Sequence, residues 1–119
     1  VNGKAIIGTS AAHPISTPSG YSLYVGYGIL TEKLKVANSS DTYNWSDFVF
    51  NKDYKLRSIE ELDKYIEENK HLPGVSTEKE IKEKGINIAE IQKQQMEKIE
   101  ELSLYIIDLQ KQINELKRN

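Results

Sequence analysis

Near the C-terminal end of the chain the apolar residues fall at Ile99, Leu102, Ile106, Leu109, Ile113 and Leu116, in steps that alternate strictly between three and four. This is a heptad repeat with Ile at every a position and Leu at every d. It extends backwards through Gln92 and Gln95 as polar a and d layers. A helix over about 88–117 would be roughly 45 Å long. One amphipathic helix packed on a monomer's own core also shows apolar periodicity, but only 38% of the 119 residues are hydrophobic and 29% are charged, which leaves little for a large monomeric core. The spacing therefore predicts a self-associating coiled coil. Burying its a and d side chains would contribute about 9–18 kcal/mol of gross burial per chain. Chain ordering consumes much of that, so further contacts are expected.

Leu104, Tyr105 and Ile107 supply candidates for them, because they are apolar yet fall at f, g and b, outside the seam. The preceding helices are expected to fold back and cover them, with a partner protein on this outer face as the alternative. Three capping-box patterns mark the helix starts: Ser58 with Glu61, Thr77 with Glu80, and Asn87 with Glu90. They predict helices from Ile59 to about Asn69, with Ile59, Leu62 and Ile66 as an inner stripe, from Glu78 to Lys84, and from about residue 88 onwards. The "HLPG" turn and Gly85 supply the reversals between them.

The first fifty residues have a different chemistry. They hold five of the seven glycines and two of the three prolines but few of the charges. In "YSLYVGYGILTEKLKVA", Leu23 and Val25 alternate with smaller or polar residues, and Leu30, Leu34 and Val36 continue on the opposite parity, with Gly26 and Gly28 at the switch. This predicts two short strands joined by a glycine bend. "WSDFVF" reads as another strand, and "AAHPISTPSG" and "VANSSDTYN" read as loops. The expected fold class is α+β: a strand-rich segment over 1–50, two bracing helices over 51–86, and a parallel coiled coil over 87–119. Isolated strand edges need a cover, and an identical neighbouring chain would serve.

Ile at a with Leu at d favours a parallel dimer, while the outer apolar residues would broaden the interface enough for three helices. The segments "WSDFVFNKDYKL", "SIEELDKYIEENKHLPGVSTEKEI" and "GINIAEIQKQQMEKIEELSLYIIDLQKQI" resemble the C-terminal region of Bacteroidetes tail-fibre-like and adhesin-like surface proteins, over roughly residues 45–116. The resemblance implies a homotrimeric fibre terminus, on a phage tail, a contractile injection particle or a cell-surface filament. It also implies a virion tail-fibre or extracellular location, with the chain as the C-terminal end of a longer polypeptide. A more distant likeness is to the endosialidase-type intramolecular chaperone, a self-cleaving module for which Ser46-Asp47 offers a junction dipeptide; "FVFNKDYKL" departs from the run that module carries next.

Little in the sequence suggests turnover. No cysteine is present, and there is no P-loop, nucleophile elbow or dinucleotide fingerprint. Glu67 and His71 have a metal-compatible spacing but no evident third ligand, so they read as a solvated helix end. No metal or cofactor is expected. The mixed Glu and Lys residues of the helical half read as a solvated face. The formal net charge of −2 and pI of about 5.7 make nucleic acid a poor partner, and no apolar run approaches membrane-spanning length, so no membrane insertion is expected. Tyr43 and Trp45, with Tyr21, Tyr24 and Tyr27, form an aromatic-rich region that reads first as packing of the strand core or of an inter-chain interface, with stacking on a sugar as the alternative. The leading expectation is a structural trimerisation and assembly module. A tip that recognises a surface glycan or protein receptor through Tyr43 and Trp45 is the alternative.

Overall fold

The computed structural model describes residues 3–37 and 46–118. The protein mixes helix with a small parallel sheet, in two compact units, Val1–Val36 and Ala37–Asn119. In the first unit, β1 (Ala5–Ile7) pairs in parallel with β2 (Leu23–Val25), placing Ala5, Ile6 and Ile7 opposite Leu23, Tyr24 and Val25. Parallel strands need a long connection, and the residues between them form the predicted Pro-containing loop. Tyr24 is the buried centre at 6% exposure, and its hydroxyl donates to the Pro18 carbonyl, tying that loop down.

Two glycines set how closely the strands' ends approach. Gly26 N–H donates to the Ile7 carbonyl at 2.8 Å, and a Cβ on Gly26 would stand 2.5 Å from the Gly8 carbonyl oxygen. No side chain fits there. The bend that follows is a γ-turn, with Gly28 N–H donating to the Gly26 carbonyl at 2.8 Å around Tyr27 at φ 68°.

The second expected strand, carrying Leu30, Leu34 and Val36, is not one. Residues 29–37 have no regular structure and, among the described residues, no backbone-to-backbone hydrogen bond. A strand exists only against a partner edge, and within this unit that stretch has none. Ile29, Leu30, Leu34 and Val36 are exposed.

The second unit holds a helix where a strand was expected. "SDFVF" forms a 3-10 helix, Ser46–Phe50, and not a strand. Its turn brings Val49 to 1% exposure, with the helix packed on the long C-terminal helix. The helices α1 (Ile59–Asn69), α2 (Glu78–Lys84) and α3 (Ile88–Arg118) follow. All three N-caps accept from the expected N–H, the Ser58 hydroxyl from Glu61 and Asn87 Oδ1 from Glu90, each at 3.1 Å, but among the described residues only Thr77 and Glu80 complete the reciprocal box. Helix α1 ends on Lys70 in the left-handed region at φ 60°, and its N–H donates to the Ile66 carbonyl at 2.8 Å.

Candidate oligomerisation interface

A 31-residue helix presents a complete circumference of side chains, and α3 divides its own between two environments. Along the seam, Ile99, Leu102, Ile106, Leu109, Ile113 and Leu116 are between 45% and 74% exposed. Gln92 and Gln95, the polar layers, are exposed too. One continuous apolar ridge thus faces away from the rest of its unit.

The opposite face is covered from Gln94 to Tyr105, while beyond Tyr105 every described residue of α3 is exposed. Ser76 N–H and hydroxyl both lie within reach of Gln94 Oε1, at 3.0 and 3.3 Å, while Gln94 Nε2 donates back to the Ser76 hydroxyl at 3.1 Å. One turn further along, the "HLPG" bend passes over Lys98, where a Cβ on Gly74 would be 3.8 Å from Lys98 Nζ. Lys98 Nζ donates to Glu101 Oε1 at 2.7 Å, and the Tyr54 hydroxyl donates to the same oxygen at 3.2 Å. Beyond them the Tyr105 hydroxyl donates to the Arg57 carbonyl at 2.7 Å.

The cover therefore differs from the expected one. Neither α1 nor α2 lies along α3; the 3-10 helix does, together with the segments that flank the two short helices. Leu104 and Tyr105 become half-buried, as an outer brace requires, but Ile107 stays 51% exposed. In the expected inner stripe of α1, Leu62 is half-buried while Ile59 and Ile66 are exposed at 50% and 38%. The reason lies in Tyr65, the other half-buried residue of α1, which takes Arg57 over its ring at 5.2 Å and the His71 edge at 5.6 Å. Helix α1 rests on its own flanking segments.

The reading of Glu and Lys as a solvated face also fails at one place. Glu100 and Glu101 are 6% and 8% exposed, beneath the 3-10 helix and Tyr54. Glu101 is satisfied by Lys98 and Tyr54. Glu100 meets the Asp47 carboxyl, and its Oε2 has no hydrogen-bond partner among the described residues. Burial pushes the Glu100 carboxyl up from its ordinary value, helped by the hydrogen bond to Asp47 and by the charges of Asp47 and Glu97. Burial also raises the Tyr54 hydroxyl to about 12, with Glu101 adding to it. Tyr105 is raised for the same leading reason, burial. A buried Glu pair at b and c positions leaves no trace in a heptad pattern; only the apolar Val49 and Tyr54 upstream hint that something must land there.

Of the aromatic candidates, Tyr24 is core, Tyr21 packs edge-on against it at 6.4 Å, and Tyr27 stacks on His13 at 4.1 Å. Tyr43 and Trp45 lie outside the described residues. Among those described, no cluster of His, Asp and Glu has the arrangement of a metal site, and no helix is long and apolar enough to cross a membrane. No protein-family model, curated protein or solved structure matches the chain.

Proposed function

We infer that this chain is an assembly module, in which copies associate lengthwise through the a and d residues of α3 as a parallel homotrimer at the end of a tail-fibre-like or adhesin-like protein. Its role is structural: the seam sets chain number and register, and the segments over the outer face stiffen each helix. One observation carries the reading. The six apolar seam residues are bare from Ile99 to Leu116, whereas the chain's own segments cover the reverse face of the same helix as far as Tyr105; from Ile106 to Arg118 every residue of α3 is exposed in the single chain. A helix that packed only on its own core would show the opposite arrangement. The stretch 29–37 adds support: it makes no backbone-to-backbone hydrogen bond among the described residues and leaves Ile29, Leu30, Leu34 and Val36 exposed, as a strand edge that pairs with another copy would. Three chains in place of two follow from the resemblance to fibre termini.

Ile106 tests the reading. It is 64% exposed in the single chain, and covering that surface stabilises by roughly 3 kcal/mol per copy. In Ile106→Asp that gain disappears and a carboxylate is placed in every copy's a layer, at a cost of several kcal/mol more. Light scattering over a concentration series is expected to return three times 13.6 kDa, about 41 kDa, for the unaltered protein and 13.6 kDa for the variant. A well-folded single chain at all concentrations, without the substitution, refutes the proposal.

A further inference from the structure

Beside the seam, α3 forms one wall of a groove that mixes the apolar Leu56, Ile59, Tyr105 and Leu109 with the carboxylates of Glu60 and Asp108. The groove, of about 380 Å³, runs between α3 and the segment leading into α1, and Arg57 and Gln112 also line it. Its outer wall is held in place: Arg57 gives its carbonyl to the Tyr105 hydroxyl at 2.7 Å and its guanidinium to the Tyr65 ring. The groove is therefore ready-made, and ready-made apolar grooves with a few fixed polar groups are the usual form of a binding site.

Its position on the helix identifies the occupant. Tyr105 and Gln112 are g residues, and Leu109 is a d residue 51% exposed, so the groove opens directly onto the seam's edge. In a parallel, in-register coil the g flank of one helix faces the e flank of the next. The neighbour's e residues at this height are Ser103 and Gln110, and between them on the same flank stands Ile107, an apolar b residue its own chain leaves 51% exposed. Groove and side chain lie at one level, since the helical lining spans Tyr105 to Gln112. They also lie on opposite flanks of each helix, as a closed ring of identical copies requires.

The area argument agrees. The six apolar seam residues, exposed by 45–74%, offer roughly 600 Å² per chain, below the ~800 Å² per partner of a standard stable interface. A contact continuous with the seam through Leu109 makes up part of the difference.

The geometry points to the groove between Leu56–Ile59 and Tyr105–Gln112 as the socket for Ile107 of an adjacent copy, a contact that fixes the register of neighbouring chains. This rests on the self-association reading and goes beyond it, because the heptad pattern assigns Ile107 no role. The test uses the absence of cysteine from the chain. Single variants Ile59→Cys and Ile107→Cys, given different mass tags, are mixed, annealed and mildly oxidised, with Leu109→Cys as a control in the d layer. The expected result is a mixed 59–107 disulfide at least several-fold more abundant than 59–59 or 107–107 products. If light scattering shows an oligomer and the Leu109→Cys control cross-links while the 59–107 product stays at background, the socket is wrong and the seam stands. If all variants and the parent are monomeric, both fall.

Discussion

Tyr54 is the side chain on which the cover of α3 is most directly measurable. Tyr54→Phe keeps the ring, which packs at 5.7 Å from Phe48, and removes only the hydroxyl that donates to Glu101 Oε1. At 3.2 Å that bond is long for a hydroxyl donor, and Glu101 keeps the better contact, Lys98 at 2.7 Å. The cost therefore sits near the low end for a bond to a charged acceptor, about 1–1.5 kcal/mol. In a unit of this size that is a fall in melting temperature of roughly 5–10 °C, measured at one fixed protein concentration because the proposed association would contribute to the melt. The alkaline limb provides a second reading. The folded hydroxyl ionises near 12 against an ordinary value of 10, so the native state holds its proton more tightly than the unfolded chain does. The stability this contributes is fully present below about pH 10 and is lost as pH rises towards 12. Ultraviolet titration of the folded parent should show one tyrosine that ionises near 12 and is missing from Tyr54→Phe. The companion change Lys98→Met leaves the Glu101 carboxylate, 8% exposed, with only the hydroxyl, and should cost about 3 kcal/mol. If Lys98→Met proves milder than Tyr54→Phe, or if Tyr54 titrates near 10 in the folded protein, the docking of the 46–57 segment on α3 is misread.

Two further outcomes follow from the same physics. Glu100 has its folded protonation equilibrium raised, so between the ordinary carboxylate range and that higher value the native state binds more protons than the unfolded one, and stability falls as pH rises. Glu100→Gln should therefore melt higher than the parent at about pH 7.5, with the difference shrinking towards about pH 4; a variant that is less stable at the higher pH contradicts this. In the first unit, Gly26→Ala drives a Cβ to 2.5 Å from the Gly8 carbonyl and 2.9 Å from Ile15 Cγ2, and should cost about 2 kcal/mol or more by separating β1 from β2. Amide exchange checks it: protection at residue 26, whose N–H donates to Ile7, should vanish while protection in α3 remains.

The helices were legible because their signals are short-range. A cap such as Thr77 with Glu80, or a stop such as Gly85, acts within one turn, so the residues that decide the boundary are all neighbours in the sequence. That the six apolar residues from Ile99 to Leu116 share one helix was legible for a related reason, since their period depends only on helix geometry and not on what they meet. The short strands were less so. A run like Leu30 to Val36 carries an alternating pattern in any context, yet becomes a strand only if another edge is present to receive its backbone.

What only tertiary structure decided is which side of α3 its own chain would cover. By composition, Glu100 and Glu101 belong in water and Ile99 and Leu102 do not, yet the acids are buried and the aliphatic pair is half exposed. That inversion depends on partners 47 residues away, such as Tyr54 for Glu101, and on a 3-10 turn that presents Val49 where a strand was expected. Local sequence sets where helices begin and end; the free energy of docking distant segments sets which face they hide, and no short window of residues contains it.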